Sequence, residues 1–278
     1  MKYLKSRKSD ISKGKGYSET KAFSYLAKIS NEKPLQVKEI LNVAKKLNRK
    51  ELFLDIGAGT GDTFLPVTKY FKKSIAIEPG EKTFNILQKR AKKYKTNCEI
   101  IKINWQDFYK KNKEKYNGKF DLITGINIAY FFLDLKKVIS EMLEFLAPNG
   151  KLVFICAYGE NQEKDFVHYL RHKITGDSFI PIARFAKLKK GFPKNCIMDK
   201  KLSHTFTFNN LDSLEGGKHL DKNNESTNYF LQFTLKRWFD ELTEKDEEII
   251  KGFLKDYKNS DGRKYIVPNL QRVYVFKK

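Results

Sequence analysis

A run of apolar residues leads directly into a glycine-rich turn at residues 51–61, which read Glu-Leu-Phe-Leu-Asp-Ile-Gly-Ala-Gly-Thr-Gly. The apolar stretch 52–56 predicts a buried strand, and the amphipathic segment after the turn predicts a helix. Glycine lets the backbone turn sharply and lets a ligand touch the main chain, because no Cβ stands in the way. A strand, a glycine turn and a helix in this order predict a small-molecule cofactor site.

Strand-like and helix-like patterns alternate between residues 52 and 157. Several of the predicted strands are almost continuous apolar runs, which is typical of strands covered by helices on both faces. The alternation therefore predicts an α/β fold with a doubly wound, mostly parallel sheet. The predicted strands are 52–56, 74–78, 98–103, 120–125 and 151–157, and the predicted helices are 62–71, 81–94 and 134–146.

The pattern is less regular outside this core. Helices are predicted at 160–175 and 228–257, the second with a break near Thr243, whereas 176–227 shows no readable pattern. A closing strand is predicted within 264–276.

Proline fits poorly in a central strand, so the regular part of the closing strand is expected to begin after Pro268. We divide the chain into a flexible basic N-terminus (1–16), a helical lid (17–48), a cofactor-binding core (49–158), a substrate-covering insertion with helices (159–262) and a closing strand of the core sheet (263–278).

The net charge of +22 allows two interpretations. A basic surface is typical of nucleic-acid-binding proteins. However, only eight of the 55 basic residues are arginine, the preferred bidentate reader of phosphates and guanine edges, and the lysines are spread along the whole chain. We therefore favour a lysine-rich composition without a role in binding, and keep RNA as the alternative partner.

The cysteines and the N-terminal residues predict a cytoplasmic location. Cys98, Cys156 and Cys196 lie far apart, so neither a disulfide framework nor a zinc site is expected. No apolar run approaches the roughly 20 residues that span a membrane, and the first residues lack the apolar region of a secretory signal. His168 and His172 have helical zinc spacing but no third ligand, so we expect no metal.

The spacing of the glycines argues against a dinucleotide cofactor. Dinucleotide-binding turns read Gly-x-Gly-x-x-Gly, whereas this turn reads Gly57-x-Gly59-x-Gly61, with Asp55 two residues before the first glycine. The Gly-Lys-Ser/Thr end of a phosphate-binding loop is also missing. A ligand without a pyrophosphate makes less demand on the helix N-terminus as an anion site.

In the order and spacing of its motifs the chain resembles the class I S-adenosylmethionine-dependent methyltransferases. Their first motif, Asp/Glu-x-Gly-x-Gly-x-Gly, is matched by residues 55–61. The resemblance implies a Rossmann-like sheet of seven strands and the cofactor S-adenosylmethionine, with S-adenosylhomocysteine as its product. Further matches are 75–79 to the second motif, 104–108 to the adenine-contacting segment, 120–125 to the fourth motif, and 146–152 to the Leu-x-Pro-Gly-Gly-x-Leu turn, with Asn149 for its first glycine.

The resemblance also implies the cofactor-binding residues. Asp55 and the backbone of the glycine turn would face the methionine end, and Glu78 would accept hydrogen bonds from the ribose hydroxyls. Asp107 would accept from the adenine amino group, with Trp105 or Phe108 beside the ring. The full set of candidates is Tyr17, Asp55, Gly57, Ala58, Gly59, Gly61, Glu78, Pro79, Gln106, Asp107 and Ile126.

Outside the core, the layout resembles the histamine N-methyltransferase-like group of small-molecule enzymes. Tyr17-Ser18-Glu19, the pair Tyr130-Phe131 after the fourth strand, and Glu32 within Ser30-Asn31-Glu32 occupy comparable positions. This resemblance implies Tyr130, Phe131 and Glu32 as catalytic candidates, with Glu32 binding a substrate ammonium. The alternatives are core aromatics for the pair and a surface carboxylate for Glu32.

We therefore expect an S-adenosylmethionine-dependent methyltransferase that acts on a small-molecule acceptor, with an amine or other nitrogen favoured. In-line displacement needs positioning more than a protein nucleophile. An N-terminal lid carrying Tyr17, Glu19 and Glu32 would exclude water. The first alternative is a tRNA or rRNA methyltransferase that uses the basic surface. The second is a non-catalytic binding protein that has kept the fold.

Overall fold

Seven strands form one central sheet in the computed structural model. They are β1 (Leu52–Ile56), β2 (Lys73–Ile77), β3 (Cys98–Ile101), β4 (Phe120–Ile126), β5 (Leu146–Ala157), β6 (Cys196–Asn209) and β7 (Lys264–Lys277). Their order is β3-β2-β1-β4-β5-β7-β6, and neighbours are parallel except that β7 runs antiparallel to both β5 and β6. The order reverses between β1 and β4, where open α/β sheets bind their ligands beyond the carboxyl ends of the strands.

The structure describes residues 25–157, 166–176, 191–192, 194–209, 234–235, 242–257, 259–260 and 264–278. Seven α-helices lie wholly within these ranges, together with a 3₁₀ turn at Ala129–Phe131. Within the same ranges, no helix combines the length and the apolar character needed to cross a membrane. The helices are α1 (Glu32–Ala44), α2 (Leu65–Thr68), α3 (Glu81–Tyr94), α4 (Trp105–Tyr116), α5 (Leu135–Phe145), α6 (Phe166–Thr175) and α7 (Glu244–Lys255).

Helices cover both faces of the sheet. Successive residues of each strand point to opposite faces, so neighbouring side chains pack against different helices. On β1, Phe53 packs in a cluster with residues of α1, α2 and α3, whereas Leu54 packs with residues of α4 and α5. Both side chains are fully buried. The prediction of a doubly wound, mostly parallel seven-stranded sheet is thereby confirmed.

The strands and helices of the core agree closely with the sequence patterns, with two omissions. The patterns do not predict α4, because its sequence is mostly polar and only a stripe containing Trp105, Phe108 and Tyr116 is buried. They also do not predict β6, in which the buried Leu202, His204 and Phe206 alternate with polar residues. The helix predicted at 62–71 is confined to the four residues of α2.

The closing strand differs from its predicted start. β7 begins at Lys264 and continues through Pro268, so the expectation that the strand starts after the proline is wrong. β5 pairs with β7 only from Gln271 to Lys277, and at Pro268 the paired neighbour is β6, opposite Thr205. Pro268 therefore lies where β7 extends past β5, a position that tolerates the missing N–H.

The predicted helical regions outside the core lie only partly within the described residues. The break expected near Thr243 is confirmed, because Thr243 is the N-cap of α7 and forms a capping box with Asp246. Two residues of the predicted lid, Tyr17 and Glu19, lie outside the described residues.

A short strap at residues 29–31 precedes α1 and lies along the outer edge of β6. Thr207 N donates to Ile29 O at 2.7 Å, and Asn31 N donates to Thr205 O at 3.2 Å. Thr205 N donates in turn to Asn31 Oδ1 at 2.8 Å. The strap fixes where α1 begins, and with it the positions of the first helical side chains.

Candidate functional site

The glycine turn follows β1 and is held against the end of β2. Gly57 N and Ala58 N both donate to Ile77 O, at 2.8 and 3.2 Å, and Gly61 N closes the turn by donating to Ala58 O at 2.9 Å. These bonds place the turn at the carboxyl edge of the sheet, beside the point where the strand order reverses.

The three glycines of the turn have left-handed backbone angles but different surroundings. A Cβ on Gly57 would lie 2.6 Å from Ile128 Cγ2, and one on Gly61 would lie 2.4 Å from Leu87 Cδ1. A Cβ on Gly59, whose φ is +56°, would meet nothing within 4 Å. Gly57 and Gly61 are therefore required for packing, whereas Gly59 presents bare main chain to open space, as a ligand-binding turn requires.

Glu78 closes the other side of this turn. Its Oε2 accepts from Gly59 N at 2.8 Å, and its Oε1 accepts from Gly80 N and Thr83 Oγ1, each at 2.8 Å. A carboxylate offers about four acceptor positions. The protein uses three of them, so two bonds from a ribose diol would require the release of one of the three. The ribose role of Glu78 stays a prediction.

Asp55 is buried beneath the turn with only one of its oxygens satisfied. Oδ1 accepts from Thr124 Oγ1 at 2.5 Å, and Oδ2 has no hydrogen-bond partner in the described part of the chain. Burial raises the pKa of Asp55 to about 7, against the opposing effects of the Thr124 bond and the Lys33 charge; Glu78 raises it further. A buried, unsatisfied carboxylate oxygen is costly, and a cationic ligand group would satisfy it.

The predicted adenine-contacting segment forms the start of α4. The N-cap Asn104 accepts from Asp107 N at 2.9 Å and donates to Asp107 Oδ2 at 2.7 Å. Asp107 is exposed and half-buried Gln106 precedes it, so both remain accessible to a ligand. Their cofactor roles stay predictions.

The aromatic residues of this segment do not have the predicted role. Trp105 is 2% exposed and donates through Nε1 to Glu141 Oε2 at 2.9 Å, and Phe108 is fully buried. Both rings pack around Phe145 of α5. Because the core covers both rings, neither Trp105 nor Phe108 can flank an adenine, and that expectation is wrong.

Three further candidates lie at the end of β4 and in the segment that follows it. Ile126 ends the strand and is buried, and the backbone of Tyr130 and Phe131 forms the 3₁₀ turn. The Phe131 side chain is 64% exposed, so it is not a core aromatic. Ala58 is buried within the glycine turn, and Pro79 is exposed after β2.

Glu32 lies at the start of α1 and belongs to a polar cluster at the same edge of the sheet. Its Oε1 accepts from Gln36 Nε2 at 2.8 Å, from Asn127 Nδ2 at 2.9 Å and from Gln271 Nε2 at 3.3 Å. Lys33 Nζ is 3.4 Å from the same oxygen. We call Glu32, Gln36, Asn127 and Gln271 the Glu32 cluster.

The remaining bonds of the cluster connect its amides to one another. Gln36 Nε2 donates to Gln271 Oε1 at 2.9 Å, and Gln271 Nε2 donates to Asn127 Oδ1 at 3.1 Å. Among the described residues, Glu32 Oε2 accepts no hydrogen bond, and the side chain keeps 14% exposure. The cluster therefore fixes one carboxylate oxygen and leaves the other available.

Glu32 remains ionised although it is largely buried. Burial acts to raise its pKa, but the charges of Lys33 and His204 and the Asn127 bond outweigh it, so the pKa is lowered. The alternative of a surface carboxylate is thus not what the structure shows. The surroundings are those of a positioned anion.

An ion pair between Arg90 and Asp62 holds the C-terminal end of the glycine turn. Arg90 Nη1 of α3 donates to Thr60 O at 2.8 Å and to Asp62 Oδ1 at 2.7 Å. Thr60 Oγ1 donates to Asp62 Oδ2 at 2.6 Å. The sequence analysis did not predict this pair. The available signal was an arginine on the predicted helix 81–94, 30 residues after Thr60 of the glycine turn.

Comparison with known proteins agrees with this geometry. A family model described as "Methyltransferase domain" matches residues 29–242. The chain belongs to this methyltransferase family. The match includes β1 to β6 and the Glu32 cluster except Gln271, and family membership implies use of S-adenosylmethionine.

One related protein and two solved structures illustrate the similarity of this methyltransferase to known proteins. A candidate methyltransferase from Dictyostelium discoideum is 27% identical over 242 residues, which cover 82% of this chain and 81% of that protein. A candidate methyltransferase of Bacillus halodurans aligns in structure with a TM-score of 0.56 at 14% identity, over 87% of this chain and 98% of the other. The YcgJ protein of Bacillus subtilis aligns over the same shares with a TM-score of 0.54 at 15% identity. The two structural comparisons show a shared fold.

The candidate site of this methyltransferase thus includes residues that sequence reasoning did not find. Asn127 follows an apolar strand directly, Gln36 interrupts the apolar stripe of a helix, and Gln271 stands among the apolar residues of a strand. Each is a polar side chain at a position where the pattern predicts burial, and that was the available signal.

Proposed function

We propose that this methyltransferase transfers a methyl group from S-adenosylmethionine to a nitrogen of a small-molecule acceptor. The observation that supports the acceptor class is Glu32, an ionised carboxylate with one oxygen fixed by three amides and the other available. It lies beside the segment after β4, which packs on the glycine turn.

The residues of the turn fit the proposed cofactor. Gly59 offers main chain with open space beside it, and the unsatisfied Oδ2 of Asp55 suits the α-ammonium of a methionine end. Glu78 retains an acceptor position for a ribose hydroxyl, and Gln106 and Asp107 are accessible for the base. When bound, S-adenosylmethionine supplies a methyl group on a sulfonium, which an unprotonated nitrogen accepts by in-line displacement.

The chain's own residues then bind and orient the acceptor. Glu32 would pair with an acceptor ammonium, accept the proton that the nitrogen must lose and pass it to water, because only the neutral amine is nucleophilic. The exposed ring of Phe131 would cover one side of the acceptor and help to exclude water. In this arrangement, catalysis comes from positioning and not from a covalent intermediate on the protein.

A methyl-transfer assay tests this function. Purified protein is incubated with methyl-labelled S-adenosylmethionine and a panel of small amines, phenols, thiols and carboxylates, with tRNA and rRNA in parallel. We expect label in one or more amines. Transfer to RNA alone, or to oxygen or sulfur acceptors alone, would contradict the nitrogen proposal, and cofactor binding without any transfer would favour the non-catalytic alternative.

Two variants link the assay to Glu32. Glu32→Gln should raise the KM for the amine at least tenfold, because an ion pair becomes a neutral contact, while cofactor affinity changes little. Glu99→Gln serves as a matched control, since Glu99 forms an exposed ion pair with Lys73 at the opposite end of the sheet. Equal effects of the two variants would remove the support that Glu32 gives.

A further inference from the structure

The two ends of the central sheet differ in charge. At the carboxyl end, which carries the glycine turn and the start of α1, the described segments that border the strands contain six basic and six acidic residues. These segments are 28–33, 57–62, 78–83, 102–107 and 127–137. The charge of this end is therefore balanced, although the whole chain has a net charge of +22.

The amino end of the sheet is strongly basic. The segments that lead into the strands or border them there contain seventeen lysine or arginine residues and two acidic residues, Glu51 and Glu114. We call these segments the basic face: 45–51, 69–73, 92–97, 113–119, 148–151, 194–195 and, at the end of the antiparallel β7, 277–278. Lysine is spread evenly along the sequence, but folding gathers much of it at one end of the sheet.

Most of these cations have no carboxylate partner. All of them except Lys50 and Lys151 are exposed. Within the described part of the chain, four form ion pairs and the other thirteen form none. The four pairs are Arg49–Asp121 at 2.8 Å, Lys72–Glu51 at 2.9 Å, Lys73–Glu99 at 3.0 Å and Lys113–Glu144 at 3.1 Å.

Local interactions explain only part of this concentration of charge. Basic residues in the last turns of α3 and α4 complement the helix dipoles. The cations that flank the strands have no such gain. Lys151 and Lys277 lie directly opposite each other on β5 and β7, where like charges are destabilising. Burial and the nearby charge of Lys277 lower the pKa of Lys151.

A lysine-rich composition does not explain the basic face either, because the carboxyl end of the same sheet is balanced. A surface of one sign raises the local concentration of ligands of the opposite sign. The basic face therefore suits a partner that carries many negative charges over a length comparable to its own. Neighbouring strands lie about 4.8 Å apart, so seven strands extend the face over roughly 30 Å.

The side chains of the face favour nucleic acid over a membrane surface. Segments that bind membranes combine basic residues with apolar side chains that enter the lipid. Among the described segments of the face, Tyr94 is the one large hydrophobic side chain that is exposed. Lysines contact phosphates as point charges, and phosphate contacts position a protein on a duplex without reading its bases.

We propose that the basic face binds the phosphate backbone of a double-stranded nucleic acid without reading its sequence. The face lies at the opposite end of the strands from the glycine turn, so the bound duplex is not the methyl acceptor. It holds the enzyme on the polymer while the carboxyl end of the sheet stays open to cofactor and acceptor. The inference goes beyond the proposed function and does not depend on the acceptor class.

Fluorescence anisotropy with labelled duplexes tests the inference. The probes are RNA and DNA duplexes of about 20 base pairs, roughly two helical turns, each in two unrelated sequences. Wild-type protein should bind RNA, DNA or both, with the two sequences of a bound type within about threefold of each other. The logarithm of the affinity should fall with the logarithm of the salt concentration with a slope of about −4 or steeper.

Two variants of equal net charge locate the binding surface. Each replaces four exposed lysines that form no ion pair in the described part of the chain. The face variant is Lys46→Gln, Lys93→Gln, Lys119→Gln and Lys194→Gln, and the control variant is Lys38→Gln, Lys82→Gln, Lys89→Gln and Lys136→Gln. At about 0.1 M salt the face variant should bind at least tenfold more weakly, with a salt slope smaller by about 3–4, whereas the control should stay within about threefold of wild type.

Four results would overturn the inference. Equal weakening in the two variants would mean that net charge, and not the face, determines binding. The second is a wild-type protein that binds neither duplex, and the third is binding to phosphatidylserine vesicles alone. The fourth is competition between a duplex and S-adenosylhomocysteine, which would place the nucleic acid at the carboxyl end. Failure of the amine assay would leave these measurements unchanged, so the two proposals fail separately.

Discussion

The side-chain amide of Asn127 donates a hydrogen bond of 2.9 Å to Glu32 Oε1, joining the end of β4 to the start of α1. The two residues are 95 positions apart in the chain. Asn127 also holds a left-handed backbone angle, with φ at 55°, and its N–H donates to Ile155 O at 2.8 Å. One residue thus ends a strand, turns the backbone beside the glycine turn and orients the candidate acceptor-binding carboxylate.

Replacement of Asn127 by glycine should separate its side-chain role from its backbone role. Glycine accepts the left-handed angle, so the loss is confined to the bonds with Glu32 and Gln271. We expect the free energy of unfolding to fall by about 1–3 kcal/mol. The pKa of Glu32 should rise, since the Asn127 bond is one of the interactions that lower it. Denaturant unfolding at pH 7 measures the first effect.

Asn149→Gly is the control for this variant. Asn149 has a φ of 66° but is exposed, in the irregular part of β5 between the pairs Phe120–Leu146 and Leu122–Lys151. Its replacement should change the unfolding free energy by less than about 0.5 kcal/mol. A similar loss in both variants would mean that the Glu32 cluster adds no stability beyond the backbone angle.

Alanine substitutions at two glycines should have opposite consequences for folding and binding. At Gly59 the new methyl group meets nothing within 4 Å, so the cost is the left-handed backbone strain of about 1–2 kcal/mol. The variant should fold, yet lose binding of S-adenosylhomocysteine, because the methyl occupies the space beside the main chain. At Gly61 the Cβ would lie 2.4 Å from Leu87 Cδ1, so Gly61→Ala should be much less stable. Thermal unfolding measures the stability of both variants, and calorimetry measures their affinity for S-adenosylhomocysteine. Unchanged affinity in Gly59→Ala would contradict the proposal that the ligand occupies the open space beside Gly59.

Glu78 should contribute to both the turn and the cofactor, and two variants distinguish these roles. Glu78→Gln keeps one acceptor oxygen but replaces the other with a donor that cannot pair with Gly59 N or Gly80 N. We expect S-adenosylhomocysteine affinity to fall at least tenfold. Thr83→Ala removes the hydroxyl, which lies 2.8 Å from Glu78 Oε1 and 2.9 Å from Gly80 O, and should leave affinity within about twofold, because Glu78 keeps its carboxylate and both backbone bonds. Loss of affinity in both variants alike would assign Glu78 a purely structural role.

The sequence predicted the elements whose signals are local and missed those defined by distant partners. The glycine turn, β1 to β5 and α3 are each encoded by a short apolar or glycine pattern. The Glu32 cluster has no such pattern, since Gln271 lies 239 residues from Glu32 and meets it only after β7 has inserted between β5 and β6. Trp105 illustrates the opposite error: a motif position suggested a ligand contact, but the amphipathic stripe of α4 buries the ring. Motif order therefore located the site, and tertiary packing decided which side chains face it.

Asp55 should make both stability and cofactor binding depend on pH near neutrality. Its pKa is raised to about 7 by burial, against about 3.9 for an unfolded aspartate. The folded protein therefore holds a proton that the unfolded chain has released, and the free energy of unfolding falls as pH rises from about 4 to about 7, at a rate of up to about 1.4 kcal/mol per pH unit. Asp55→Asn, which cannot ionise, should lack this contribution when its unfolding is compared with that of wild-type protein across the same range.

Binding should show the reverse dependence, because the ionised form of Asp55 pairs with the ligand's ammonium. Wild-type affinity for S-adenosylhomocysteine should rise relative to that of Asp55→Asn between pH 6 and pH 8. The comparison at each pH cancels titration of the ligand itself. Burial lowers the pKa of His204, and because His204 is present in both proteins, its titration cancels in the same comparison. Calorimetry at pH 6.5 in two buffers of different ionisation enthalpy should also detect proton release on binding to the wild-type protein. Equal pH profiles for the two proteins, with no release, would exclude Asp55 as the ammonium partner.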